Sequence, residues 1–135
     1  MPNIRDQEVH KAAAIARKPL VIPIDTAIDL TAAVVYSFVP GFKFQVVASR
    51  SFCRTKAGTV TANIKIGART AAAVVFTAAT EVAQTLSTTL ANIRGSSTDV
   101  LTVELTTDGS GVLTNSVLTI TIRPYPLAGD IGPNT

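Results

Sequence analysis

Leu101-Thr102-Val103-Glu104-Leu105-Thr106-Thr107, then Asp108-Gly109-Ser110-Gly111, then Leu118-Thr119-Ile120-Thr121-Ile122-Arg123: this stretch decides the fold class. Apolar and polar residues alternate on both sides of a glycine-rich phrase, the spacing that sends successive side chains to opposite faces of a strand. Leu101, Val103 and Leu105 make one apolar face, and Leu118, Ile120 and Ile122 make another. The Asp-Gly phrase between them predicts a hairpin.

The same alternation recurs upstream. Phe42, Phe44, Val46 and Ala48 alternate with Lys43, Gln45, Val47 and Ser49 in a run reaching toward Phe52. Val60, Ala62, Ile64 and Ile66 alternate with Thr59, Thr61, Asn63 and Lys65, and the intervening Lys56-Ala57-Gly58 predicts another hairpin. Residues 70–78 read as a strand. In residues 82–93, Val82, Leu86, Leu90 and Ile93 also fit a helical face, but Thr85, Thr88 and Thr89 favour extended backbone. With residues 20–24 and 28–39 the chain holds about seven to eight strands separated by Gly, Pro and Asp-Gly punctuation. The expectation is an all-β chain forming a single β-sandwich, jelly-roll-like, over residues 20–135.

A chain of 135 residues has room for one core. At 47% hydrophobic and 16% charged residues, with a mean hydropathy of +0.36, it is too apolar to stay disordered, and its composition implies a partner over part of the surface. Residues 1–19 stand apart as an N-terminal arm. Asp6 and Glu8 suit a helix start and Ala12, Ala13, Ala14 and Ala16 favour helix, while Pro19 ends it. Its apolar face is thin, so the arm is expected to order only against another surface, with Ile4, Val9 and Ile15 as contacts to a partner or neighbouring subunit.

Charge and residue chemistry narrow the function classes. The formal charge is +3, with four basic side chains against two acidic in residues 1–18 and eight against seven beyond. Scattered cations with only two Tyr and five Phe argue against nucleic acid as a partner. The apolar runs are too short for a membrane-spanning helix and the N-terminus lacks a secretory apolar run. A single Cys53 forms no internal disulfide, which suits assembly in a reducing cytoplasm. One His, one Cys and no Trp leave few groups for catalysis. His10 has no His or Cys near it in sequence. Cys53 lies near Arg54 and Lys56, cations that would lower a thiol pKa, but reads as a small apolar strand residue. Asp25 and Asp29 read as turn caps rather than a Ca²⁺ pair. Asp108-Gly109-Ser110-Gly111 lacks the Gly-Lys-Ser/Thr end of a phosphate loop. No catalytic residue, cofactor or metal ligand is expected. One asymmetry stands out: between Asp29 and Glu81 there is no acidic residue, whereas Lys43, Arg50, Arg54, Lys56, Lys65 and Arg69 fall there. They form either a solvated face or a positive docking patch, with Arg50, Arg54 and Lys56 as candidate contacts.

The closing run 99–111 with 118–124, and the middle runs 42–51, 59–67 and 82–94, resemble small β-rich structural proteins of tailed bacteriophage particles, a similarity that covers residues 30–125. The resemblance implies a virion component, a capsid decoration or cement protein on the head surface, with the major capsid protein as partner. The arm has no counterpart in it. The alternative is a jelly-roll binding module of a tail or fibre recognising a host glycan or receptor. Aromatic platforms serve such sites, and Tyr36 and Tyr125 are the only Tyr while Trp is missing. The apolar segments 32–39 and 124–131 further predict a homo-oligomer, a trimer ahead of a dimer.

Overall fold

The computed structural model describes residues 19–26, 28–29 and 34–126, and for 28–29 the backbone alone. Of the arm at residues 1–19, residues 1–18 lie outside them. Among the described residues twelve strands follow one another: β1 (Leu20–Asp25), β2 (Ile28–Asp29), β3 (Val34–Phe38), β4 (Phe44–Phe52), β5 (Thr55–Ala57), β6 (Val60–Ile66), β7 (Arg69–Val74), β8 (Val82–Ala83), β9 (Arg94–Gly95), β10 (Leu101–Thr107), β11 (Val112–Thr114) and β12 (Val117–Pro124). The ambiguous stretch 82–93 contributes β8 and one 3₁₀ turn, Leu90–Asn92. The fold is all-β.

One sheet runs β1-β12-β4, with β8 and β9 both along the far edge of β4; the other runs β3-β10-β6-β7. A small third sheet, β2-β11-β5, closes one end. All the named strand pairings are antiparallel. The faces anticipated from alternation meet between the sheets. Phe44, Val46, Leu118, Ile120 and Ile122 from the first join Ile64, Ile66, Leu101, Val103 and Leu105 from the second in one buried cluster. Each such side chain stabilises the fold by roughly 1.5–3 kcal/mol on burial, which makes this seam the main source of stability.

The two long hairpins expected from the turn phrases do not form. β4 pairs with β12, β8 and β9 rather than β6, and β10 pairs with β3 and β6 rather than β12. Lys56-Ala57-Gly58 and Asp108–Gly111 are instead corners at which the chain crosses from one sheet to the other. The corners are zipped together. Val112 faces Ala57, Leu113 faces Lys56 and Thr114 faces Thr55, while buried Leu113 plugs the core end. Gly58, at φ +64°, lies so close to Ser110 that a Cβ would strike that residue's backbone. Its left-handed backbone and missing side chain are both required.

The alternation in β4 also breaks midway. Ala48 faces Thr121 but Val46 faces Ile122, so Val47 is an extra, bulged residue. Beyond it the phase flips, which exposes Ala48 and turns Ser49 and Ser51 inward. Both hydroxyls are satisfied: Ser49 Oγ donates to the Thr119 carbonyl at 2.9 Å and Ser51 Oγ to the Val75 carbonyl at 2.5 Å. Gln84 completes that join, its Nε2 donating to Ser51 Oγ at 2.8 Å and its Oε1 accepting from Val75 N–H at 2.8 Å. Polar groups this far inside cost stability unless paired.

Candidate interaction surface

Along one flank the sheets end in two strands that, among the described residues, pair on one side only, β1 against β12 and β3 against β10. Between these edges runs an open groove of about 530 Å³ whose apolar lining includes Ile22, Ile24, Val35, Tyr36 and Phe38. Eight large hydrophobic side chains are exposed among the described residues. Four of them, Leu20, Val21, Val35 and Val39, belong to β1, β3 or the residue just after β3. The opposite edges differ: the Ser87 N–H bonds the Ala71 carbonyl of β7 and Leu86 bridges Ala72, while β8 and β9 are two residues each.

The cations between Asp29 and Glu81 do not gather. Arg50 Nε meets Glu81 Oε1 at 2.5 Å, Lys65 meets Glu104 at 3.5 Å and Arg69 meets Asp99 at 3.2 Å. Lys43 sits at the far end of β4, where its carbonyl accepts from the Tyr125 N–H. Arg54 and Lys56 remain, both exposed at the zipped corner and without an ion-pair partner among the described residues. Arg50, Phe52, Glu81, Val117 and Thr119 line a second, shallow pocket of about 200 Å³, over which Phe52 is 37% exposed. Tyr125 is engaged, its ring lying 3.9 Å beneath the Arg94 guanidinium.

The remaining candidates sit as follows. Cys53 is fully buried, and burial pushes its thiol up against the lowering pull of Lys56. Asp25 is exposed at the end of β1, and the Asp29 side chain lies outside the described residues. Asp108 Oδ1 accepts from the Ser110 hydroxyl at 2.6 Å and the Ser110 N–H at 3.0 Å, which holds its carboxyl below the usual range and rigidifies the corner. No group of three or more metal-ligating side chains occurs among the described residues, nor a helix long and apolar enough to cross a membrane. Ile4, Val9, His10 and Ile15 fall outside them. Sequence reasoning missed the free edge of β3, the exposed ring of Phe52 and the Gln84 join. A charge-free interval between Asp29 and Lys43 was the available signal for the first. No family model, curated protein or solved structure matches the chain.

Proposed function

We propose that this protein is a structural component of a tailed-phage particle, a decoration or cement protein that binds the major capsid protein on the assembled head. The resemblance of residues 30–125 supports the class. The strand pairing supports a jelly-roll reading of the fold. With β8 and β9 counted as one interrupted edge strand and the corner strands set aside, the chain pairs as nested ribbons: β1 with β12, β3 with β10, β4 with β8 and β9, and β6 with β7. Such a ribbon rolled on itself is a double Greek key.

The observation that carries the docking role is the corner. Of the cations in the acid-free interval three are paired, whereas Arg54 and Lys56 are exposed and without an ion-pair partner among the described residues, on a corner that Gly58 and Asp108 make rigid. A fixed pair of cations steers association with an acidic shell face and loses strength with salt. Contacts spread over neighbouring shell subunits would then resist outward pressure, with the arm residues Ile4, Val9 and Ile15 adding apolar area. The test is cosedimentation of the purified protein with empty heads across a salt series. Wild type is expected to bind with a salt-dependent association that Arg54→Glu with Lys56→Glu slows and flattens. Unchanged binding by the double variant overturns the corner. A second reading, a glycan-binding module, is favoured by Phe52 beside the Arg50–Glu81 pair, because aromatic faces rimmed by polar groups hold sugar rings. Glycan binding lost in Phe52→Ala, with no binding to heads, selects it.

A further inference from the structure

We propose that two copies of this chain associate by pairing β3 of one with β3 of the other, antiparallel about a two-fold axis through Tyr36, so that the two β3-β10-β6-β7 sheets join into one continuous sheet. This rests on the lateral edges alone and is independent of the virion reading. An unguarded sheet edge is a template for another strand, and proteins blunt edges with proline, charge, bulges, short strands or a covering segment. Among the described residues, each edge of the two large sheets except one is blunted. Pro23 sits mid-strand in β1 and removes an N–H from it. The segment at Leu86 and Ser87 covers β7, and β8 and β9 are too short to template a partner. β3, Val34-Val35-Tyr36-Ser37-Phe38, has no proline, no charge and no covering strand among the described residues.

The occupant follows from self-complementarity. With Tyr36 on the axis, Val34 faces the partner copy's Phe38 position and Val35 its Ser37 position, so apolar Val34 meets apolar Phe38, Tyr36 meets itself, and no charged side chain enters the ladder. No charged residue lies between Asp29 and Lys43 to oppose the approach, and of the residues lining the groove Asp25, at the end of β1, is the one that carries a charge. Five residues of ladder are too few to hold two sandwiches together alone. The apolar groove supplies the rest. In the two-fold arrangement the grooves of the two copies face each other, and Ile22, Tyr36, Phe38 and the half-exposed Leu20, Val21 and Val39 close into a shared seam. A two-fold contact of this kind is isologous and closes on itself, which yields a dimer rather than the trimer expected from composition.

Sedimentation velocity over a concentration series, with the full chain, tests this. Wild type is expected to dimerise, and Val35→Lys, which enters a two-fold interface twice, is expected to raise the dissociation constant by about 30-fold or more. Val75→Lys, a charge at an equally exposed valine beside β7, is expected to leave it unchanged. The register is read by oxidising an equimolar mixture of Val35→Cys and Ser37→Cys proteins. The mixed disulfide is expected to outrun both homodimeric ones, because in this register position 35 lies directly opposite position 37 and neither lies opposite its own copy. This arm stands even if Val35→Lys fails to fold. A monomer at every concentration, an oligomer that ignores Val35→Lys, or cross-linking without preference for the mixed species overturns the proposal.

Discussion

Gly95 and Phe44 offer the most direct measure of how tightly the two sheets are locked. They face each other across β9 and β4, and the fully buried Phe44 ring occupies the space that a side chain at position 95 would need, with Ile66 behind it. Gly95 has backbone angles open to any residue, so Gly95→Ala is not penalised by conformation. By stiffening the unfolded chain it should even gain about 0.4–1 kcal/mol. Against that, the methyl must displace a ring with no room to retreat, an overpacking cost of about 1–3 kcal/mol. The net expectation is a loss of about 1–2 kcal/mol, or a Tm lower by about 4–8 °C for a domain of this size. Phe44→Leu alone should cost about 1–2 kcal/mol through the cavity it leaves. Combined, the alanine methyl fills part of that cavity, so the double variant should be more stable than the sum of the singles by about 1 kcal/mol. Urea unfolding followed by circular dichroism gives all four corners of the cycle. Additivity within about 0.5 kcal/mol, or a stabilising Gly95→Ala, refutes the packing argument.

Three further outcomes follow. Gln84→Ala should destabilise the fold by about 1–2 kcal/mol in urea unfolding, because it strips partners from buried Ser51 and from Val75. Cys53 should resist a thiol reagent at pH 8 in the folded protein and react fully once unfolded, since it is buried and its thiol is pushed up. The Ser96 N–H, at 2.8 Å, and Arg69 hold the Asp99 carboxyl below its usual range. A carboxyl lowered by folding stabilises above its unfolded pKa and loses that effect as pH falls through the folded one. Unfolding curves taken downward from pH 5 should therefore be less pH-dependent in Asp99→Asn than in wild type.

Alternation told which residues face inward, and in β6, β10 and β12 the anticipated apolar residues are buried except Val60, which is half-buried at the start of β6. It carries no information about which strand lies alongside, because either neighbour satisfies the same face. Hence Lys56-Ala57-Gly58 and Asp108–Gly111 read equally well as hairpin turns or as corners: a tight reversal needs Gly58's backbone in both. In β4, a bulge at Val47 leaves no compositional mark until Ser49 and Ser51 are seen to be buried. The charge asymmetry was visible in sequence and its cancellation was not, since Glu81, Asp99 and Glu104 reach their cations from segments distant in the chain, two of them loops and one β10. Arg54 and Lys56 were legible as exposed positions, whereas the free edge of β3 depends on the whole sheet order.

The central place of β12 has a consequence for how the chain reaches this state. Leu20 pairs with Ile122, and β12 alone joins β1 to β4. Until residues 117–124 have left the ribosome, β1 has no partner strand and one face of the core stays wet, while β6 and β7 can already pair across the Gly67-Ala68 turn. Contacts between residues so distant in sequence make folding slow relative to a helical protein of equal size. The nascent chain therefore passes through a stage in which one sheet is assembled and the other waits as loose apolar strands. During that stage the chain is open to chaperones, and it is also open to premature pairing with other nascent copies.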